Sequence, residues 1–281
     1  MREKMPSTFE KVIFVDDFHV SENGGGAELV NAVVQDYLKC EFVKTGQVKQ
    51  FTHDNFYILG NISLMHPALL QTVLDKQYII IEHDYKICAS RHPWRYENNM
   101  VPPTERINYE LYKNAKAVFV QTSDHESIFK LKGVDANFIN LESTLWSKDD
   151  LSLLRELNGD VKEHTYAIVE SDNWIKNTQA AVDFCETNNL DYKLIPSTGN
   201  RKEFLSGLAA CSTLVFFPIA RESCCRLVVE ARCLNMNVIT SKNYGAVLED
   251  WFKRRGNDLI TLLEYNTTRN LAMIEENIYE D

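Results

Sequence analysis

The chain has 281 residues, of which 44% are hydrophobic and 25% are charged, as in ordinary globular proteins. This length suffices for two domains of roughly 140 residues, each with a core of its own. The formal net charge of −10 argues against strong nonspecific binding to nucleic acids, because their phosphates are also negative.

The sequence indicates neither a membrane span nor a secretory signal. The longest apolar run, Thr213–Ala220, has the length of a strand, whereas a membrane helix needs about 20 apolar residues. Near the N-terminus, the apolar stretch Val12–Val15 is too short for a signal peptide. The seven cysteines form no CxxC pair, which indicates neither a zinc site nor a disulfide framework. We therefore expect reduced thiols and a cytoplasmic location.

The first half of the chain alternates short apolar strands with helices. A strand at Lys11–Phe18 leads into the loop His19–Gly26 and then into a helix at Ala27–Leu38. Residues rich in β-branched and aromatic side chains predict three further strands, at Phe56–Ile62, Tyr78–Glu82 and Ala117–Thr122. Helices are predicted at His66–Leu74, Glu105–Asn114 and Ser123–Lys132, with Ser123 as the N-cap of the last.

This pattern stops in a charged segment after Ser147 and then begins again. The second set of predicted strands is Tyr166–Glu170, Tyr192–Pro196, Thr213–Pro218 and Asn237–Ser241, and the helices are Ala180–Thr187, Arg201–Ala210 and Arg226–Leu234. Apolar strands separated by helices indicate parallel sheets covered on both faces. We therefore predict an α/β fold with two Rossmann-like domains, residues 1–155 and 156–281. Ligands of such sheets bind beyond the carboxyl ends of the strands, so the loops there are the candidate sites.

The first candidate is the glycine loop that follows the first strand. Gly24, Gly25 and Gly26 directly precede the predicted helix. Glycines let a ligand approach the backbone closely, and a helix N-terminus attracts anionic groups. The spacing differs from the GxGxxG of dinucleotide sites, so a flexible turn is the alternative interpretation.

A histidine, His83, stands at the end of the predicted strand Tyr78–Glu82. At the carboxyl end of a parallel strand it is expected to face the ligand, and a capping histidine is the alternative. The following stretch, Lys86–Lys116, holds six basic and three acidic residues. Its part Lys86–Arg106 is a candidate basic contact surface for a phosphorylated acceptor, a membrane surface or nucleic acid, and a solvated loop is the alternative.

In the second half, Lys176 lies between a predicted strand and a predicted helix. A lysine in that place suits a diphosphate, because its charge and the free N–H groups of the helix converge. A lysine exposed to solvent is the alternative interpretation.

The segment from Pro218 to Glu230 is the strongest candidate. Glu222 lies in the loop after a strand, and Glu230 lies in the helix that follows. Carboxylates in this setting suit the acceptance of hydrogen bonds from sugar and ribose hydroxyls. A carboxylate buried in an apolar helix also needs such partners. Two glutamates at this spacing arise by chance as well, so the interpretation depends on the strand–loop–helix context.

Together these features resemble the family-4 retaining glycosyltransferases of GT-B fold. The resemblance is carried, in this order, by Gly25-Gly26-Ala27-Glu28, His83-Asp84, Lys176-Asn177 and Glu222…Glu230-Ala231. It implies two Rossmann-like domains whose parallel sheets face each other across a cleft. The acceptor belongs to the N-terminal domain and the nucleotide-sugar donor to the C-terminal one. It also implies that the sugar is transferred with retention.

The resemblance also implies roles for individual residues. Glu230 holds the ribose of the donor, and Lys176 neutralises its diphosphate. His83 touches the sugar from the first domain, and the loop Gly24–Gly26 closes over the diphosphate. The transferred sugar is held by Glu222 and by backbone amides of the next four residues, Ser223, Cys224, Cys225 and Arg226. No metal or other cofactor is expected, since cationic side chains and helix N-termini stabilise the leaving diphosphate.

Two departures from the family pattern leave alternatives open. Cys224 and Cys225 stand where the family commonly has glycine and an aromatic residue, and Glu170–Trp174 lacks the arginine usual before the lysine. Arg226 and Arg201 are candidates to replace that arginine. A non-catalytic nucleotide-sugar-binding homologue and a nucleotide-sugar epimerase of the same fold are the alternatives. The acceptor stays open among saccharides, lipid-linked sugars, small metabolites and modified nucleic-acid bases.

Overall fold

The chain forms two compact units in the computed structural model. The first comprises Met1–Leu145 and Asn266–Asp281, and the second comprises Trp146–Tyr265. The structure describes residues 9–22, 24–97, 100–159, 163–197, 199–241 and 244–280. Within these ranges, none of the helices combines the length and the hydropathy that crossing a membrane requires.

A parallel sheet of six strands is the centre of the first unit. Its strands are β1 (Lys11–Asp16), β2 (Glu41–Lys44), β3 (Asn55–Leu59), β4 (Gln77–Ile81), β5 (Ala117–Val120) and β6 (Phe138–Asn140). They lie in the order β2-β1-β3-β4-β5-β6. The helices of this unit are α1 (Gly26–Leu38), α2 (Pro67–Gln71), α3 (Tyr109–Asn114) and α4 (Ser123–Leu131).

Both faces of this sheet are buried, which explains why its central strands are apolar throughout. Successive side chains of a strand point to opposite faces. In β3, Ile58 packs with Val30 of α1, whereas its neighbours Tyr57 and Leu59 pack with Phe129 of α4 on the other face. The interior of the sheet is therefore apolar, and buried polar side chains such as Asp16 lie at the ends of its strands.

The second unit repeats the arrangement with four parallel strands. Its strands are β7 (Glu163–Glu170), β8 (Tyr192–Pro196), β9 (Cys211–Phe216) and β10 (Asn237–Thr240), in the order β10-β9-β7-β8. Its helices are α5 (Lys148–Leu157), α6 (Thr178–Thr187), α7 (Arg201–Ala209) and α8 (Arg226–Cys233), and the last helix of the chain is α9 (Gly256–Tyr279). The predicted α/β class with two parallel sheets is confirmed.

The division between the units differs from the boundary at residue 155 that the sequence indicated. Trp146 and the α5 leucines Leu151 and Leu154 are buried in the core of the second unit. The charged segment after Ser147 thus contains an amphipathic helix, α5, which was not predicted. Helix α9 contributes to both units, because the division falls between Tyr265 and Asn266.

The start of α4 differs in its capping residue from the sequence-based prediction. Thr122, not Ser123, is the N-cap of α4, since its hydroxyl accepts a hydrogen bond from the amide of His125 at 3.2 Å. Ser123 is the first residue inside the helix. The extended backbone of Thr122 places its hydroxyl within reach of the first amides of α4, whereas Ser123 is already helical. Strands β2 and β6 were not predicted.

Candidate functional site

The glycine loop of the first unit ends at the N-terminus of α1. Gly25 is the N-cap of this helix and Gly26 is its first residue. With φ −68° Gly25 is extended, so its backbone conformation does not require glycine. A β-carbon added to Gly24 would have no described atom within 4 Å. Packing therefore does not explain Gly24, and closure of the loop Gly24–Gly26 over a diphosphate stays a prediction.

Four buried polar side chains form a continuous chain of hydrogen bonds at the carboxyl edge of the first sheet. We call Asp16, Asn31, His83 and Gln121 the histidine network. Asn31, from α1, donates its amide to the Asp16 carboxylate at the end of β1. His83 Nε2 lies 2.7 Å from Asn31 Oδ1, and His83 Nδ1 lies 3.0 Å from Gln121 Nε2, directly after β5.

Burial controls the charge of this network. All four side chains are at most 9% exposed. Burial, together with the neighbouring Lys86 and His125, holds the pKa of His83 well below its ordinary value of 6.5. Burial raises the pKa of Asp16 to about 6, against the opposing effect of hydrogen bonds from backbone amides. Near neutral pH the network thus holds an uncharged imidazole and a carboxylate.

The neighbouring strand end carries a buried ion pair. Lys86 donates to Glu82 Oε1, and Tyr112 donates its hydroxyl to Oε2 at 2.6 Å. The amides of His83 and Asp84 donate to Oε1 at 3.0 Å. Burial lowers the pKa of Lys86, but the carboxylates of Glu82 and Asp84 outweigh burial and raise it. Glu82 therefore anchors the loop that carries His83.

The basic stretch Lys86–Arg106 has less free charge than its composition suggests. Lys86 is buried on Glu82, and Arg91 lies 3.0 Å from the Asp84 carboxylate. Arg106 donates Nε to the backbone carbonyl of Val101 at 3.2 Å. Two of the positive charges are thus matched by acidic neighbours, and a basic contact surface here stays a prediction. Residues 98 and 99 of the stretch lie outside the described residues.

In the second unit, Lys176 and Glu222 form an ion pair with an Nζ–Oε1 distance of 2.6 Å. The two loops that carry them are joined by a backbone hydrogen bond from Ile219 to Ile175 at 2.9 Å. Asn177, which follows the lysine, has φ 54° and donates Nδ2 to Phe217 O at 3.1 Å. Asparagine tolerates this left-handed conformation better than most residues, which explains its place here.

Cys225, the residue before α8, has a strained backbone and contacts the Lys176–Glu222 pair. Cys225 is the N-cap of α8 with φ 67°, a conformation that favours glycine. Its buried thiol hydrogen-bonds to Glu222, and burial followed by that carboxylate raises the pKa of Cys225 well above its ordinary value. Cys225 is therefore an uncharged thiol that donates to Glu222. Cys224 and Ser223 beside it are also buried.

Glu230 is part of a second cluster, which we call the arginine–carboxylate ring. Arg201 joins Asp150 and Glu230, with distances of 3.0 and 2.5 Å. Arg226 joins the same two carboxylates, at 2.9 and 3.5 Å. The guanidinium of Arg226 also lies 3.9 Å from the ring centroid of Trp146. The ring carries two charges of each sign and no net charge.

The residues that the sequence placed in one donor site take part in two groups of contacts, and their common role in binding a donor stays a prediction. Lys176, Glu222 and Cys225 lie together, whereas Arg226 and Glu230 lie in the ring. Arg201 and Arg226, the candidates for the absent family arginine, are both bound to the carboxylates of the ring. Their contacts support a role at Glu230 rather than beside Lys176.

Sequence reasoning missed four members of these clusters. Asn31 lies inside the predicted helix after the first strand and carried no signal of its own. Asp16 and Gln121 each end or follow an apolar strand, and that position was the available signal. Asp150 lies in the charged segment after Ser147, for which no element was predicted, and only the tertiary structure brings it to the arginines. Among the described residues, no group of three His, Cys, Asp or Glu side chains is placed to hold a metal ion.

Comparison with protein-family models and with curated proteins gives no match. Among solved structures, the chain is similar to Alr3699/HepE of Anabaena in complex with UDP and glucose. The identity is 13% and the TM-score 0.54, over 95% of this chain and 92% of that chain. The trehalose-6-phosphate synthase OtsA is similar at 10% identity and a TM-score of 0.53, over 96% and 93%. The fold is of the GT-B type. At such identities the similarity shows the fold alone.

Proposed function

We propose that this protein is a metal-independent retaining glycosyltransferase, which moves a sugar from a nucleoside-diphosphate sugar to an acceptor hydroxyl. The observation that carries the proposal is the Lys176–Glu222 pair beside the N-terminus of α8. It unites a cation, helix amides and a carboxylate acceptor at the carboxyl edge of a parallel sheet, where ligands of this fold class bind. Alr3699/HepE, of the same fold, was solved with UDP and with UDP-glucose.

Each of these groups suits one part of the donor. Lys176 and the amides of residues 223–226 supply positive charge to the diphosphate and stabilise it as it leaves. Glu222 accepts hydrogen bonds from hydroxyls of the transferred sugar. The Cys225 thiol also hydrogen-bonds to the Glu222 carboxylate, which restricts its orientation.

Glu230 is assigned to the ribose, and the ring affects how it binds. Its Oε1 already accepts from Arg201 at 2.5 Å, and its side chain is 3% exposed. A ribose therefore takes the place of the Arg201 hydrogen bond or uses the second oxygen. Arg201, with 29% of its side chain exposed, is the member of the ring that can move most easily.

The histidine network bears on the epimerase alternative. An epimerase of this fold needs a histidine that exchanges protons at the sugar, whereas both ring nitrogens of His83 hydrogen-bond to side-chain amides. This arrangement favours transfer over epimerisation. A non-catalytic homologue is distinguished by nucleotide-sugar binding without turnover.

The test measures binding and transfer with the same panel of UDP-, GDP- and ADP-sugars. A donor present at about a hundred times its Kd stabilises the protein by about 2.7 kcal/mol, which a thermal-shift assay detects. If no nucleotide or nucleotide sugar raises the Tm, the proposal is wrong.

Glu222→Ala is expected to lower transfer by at least about a hundredfold while the fold is kept, because it removes a sugar-binding acceptor from the site. Glu156→Ala is the matched control. Glu156 belongs to an exposed ion pair with Lys202 in the same unit, and its loss is expected to leave transfer unchanged. Equal transfer activities of Glu222→Ala and Glu156→Ala would show that Glu222 has no role in transfer.

A further inference from the structure

The histidine network is built into the fold rather than placed on its surface. Its members come from β1, from α1 and from the loops after β4 and β5, and all are nearly or fully buried. Gly60 leaves the space that the network needs. A β-carbon there would lie 2.2 Å from Asp16 Oδ2 and 2.8 Å from Asn31 Nδ2, so only glycine fits.

One end of the network determines which atom of Asn31 faces His83. The Asp16 carboxylate accepts from the amides of Phe18 and Asn61, both at 3.2 Å, and from Asn31 Nδ2. Ionised carboxylate oxygens only accept, so Asn31 turns its nitrogen to Asp16 and its oxygen to His83. The amide oxygen also only accepts. His83 Nε2, 2.7 Å away, therefore carries a hydrogen.

The Gln121 end of the network independently indicates the same position for the imidazole hydrogen. Gln121 Nε2 donates to the backbone carbonyl of Glu82 at 3.4 Å, and a carbonyl only accepts. The same nitrogen faces His83 Nδ1 at 3.0 Å and donates to it. His83 Nδ1 therefore accepts and carries no hydrogen.

The charged surroundings also keep the imidazole neutral. Lys86 and His125 of α4 both oppose its protonation. Glu82 and Asp84, the sequence neighbours of His83, both pair with Lys86. Asp84 also pairs with Arg91. Asp16 is connected to His83 through the Asn31 amide.

We propose that Asn31 and Gln121 are positioning residues that fix His83 as a neutral imidazole with its hydrogen on Nε2. In this state His83 neither gives nor takes a proton in the reaction. The absence of proton transfer by His83 in the reaction rests on the proposed function, whereas the protonation state of the imidazole does not. His83 then contributes a fixed shape and fixed dipoles at the edge of the sheet.

The direct test is NMR spectroscopy of the full chain labelled with ¹⁵N-histidine, with His83 assigned from the His83→Gln variant. We expect the pattern of an Nε2-protonated ring that does not change from about pH 6 to about pH 8, where an ordinary histidine titrates. A ring protonated on Nδ1, or one that becomes doubly protonated in this range, would overturn the proposal.

A second test converts one positioning residue into a charge. Gln121→Glu places a carboxylate beside Nδ1, so His83 should acquire a second proton and titrate within the range above. Transfer should then fall by about tenfold per pH unit below the new pKa, a limb that the wild-type profile lacks. Gln71→Glu, at an exposed position of α2 in the same unit, is the matched control and should change neither the spectrum nor the profile.

If His83 stays neutral and Nε2-protonated in Gln121→Glu while the introduced carboxyl is ionised, Gln121 does not position it and the proposal is wrong. The NMR result stands without any enzymatic activity. A wild-type protein that shows the expected tautomer but transfers no sugar therefore supports this proposal and contradicts only the proposed function.

Discussion

The two units bury polar side chains in different ways. In the histidine network of the first unit, hydrogen bonds run through two amides and an imidazole to a single carboxylate. In the arginine–carboxylate ring of the second unit, each charged group touches two groups of opposite sign. An amide has distinct donor and acceptor ends, so the network determines where hydrogens lie. Ion pairs lack that distinction between donor and acceptor ends, and the ring instead holds Glu230 in place between two arginines.

This comparison predicts that the ring is the more sensitive of the two to loss of one member. Arg226→Met should lower the free energy of unfolding by about 3–5 kcal/mol, because it leaves two carboxylates short of a buried partner and removes the stack on Trp146. Urea denaturation followed by tryptophan fluorescence measures this, since three of the four tryptophans lie in the second unit.

Arg254→Met is the control for Arg226→Met. Arg254 pairs with Asp258 at 3.0 Å, but about half of its side chain is exposed. We expect a change below about 1 kcal/mol there. Equal losses in the two variants would mean that burial of the ring has no special energetic role.

Asp16 of the histidine network should make the free energy of unfolding depend on pH. The pKa of Asp16 is about 6 in the folded protein and 3.8 ordinarily, so the folded state binds more protons between these values. Asp16 therefore stabilises the fold as pH falls from about 7 to about 4, by about 3 kcal/mol at most, and this contribution is lost as pH rises through about 6.

Asp16→Asn removes that contribution. The stability of wild type relative to Asp16→Asn should increase by about 2–3 kcal/mol between pH 7 and pH 4, measured by urea denaturation at each pH. Asp36→Asn, at an exposed position of α1, should show no such trend. A pH-independent difference for Asp16→Asn would mean that this carboxyl is not perturbed by burial.

The smallest effect is expected at the exposed pair Lys202–Glu156, whose side chains are 64% and 60% exposed. A double-mutant cycle with Lys202→Ala and Glu156→Ala should give a coupling energy below about 1 kcal/mol. This value sets the baseline against which the buried ring is judged. A coupling energy at Lys202–Glu156 as large as the loss in Arg226→Met would show that buried and exposed ion pairs do not differ in their effect on stability.

The sequence by itself determined the layer architecture. Apolar strands such as Tyr78–Glu82 and Thr213–Pro218 could be located because parallel strands buried on both faces are apolar throughout. It also indicated which loops matter, since Lys176, Glu222 and His83 each follow such a strand. Periodicity was less informative for α5, whose many charges concealed the leucines that it buries.

Only the tertiary structure decided which of these residues act together. Glu222 and Glu230 are eight positions apart, yet one pairs with Lys176 and the other with Arg201. Asp150 reaches Arg226 across 76 positions of sequence, and Asn31 reaches His83 across 52. Such partners depend on how helices pack on the sheet, which no local pattern encodes. The sequence therefore indicated the chemistry of the site, and packing determined the partners and protonation of its side chains.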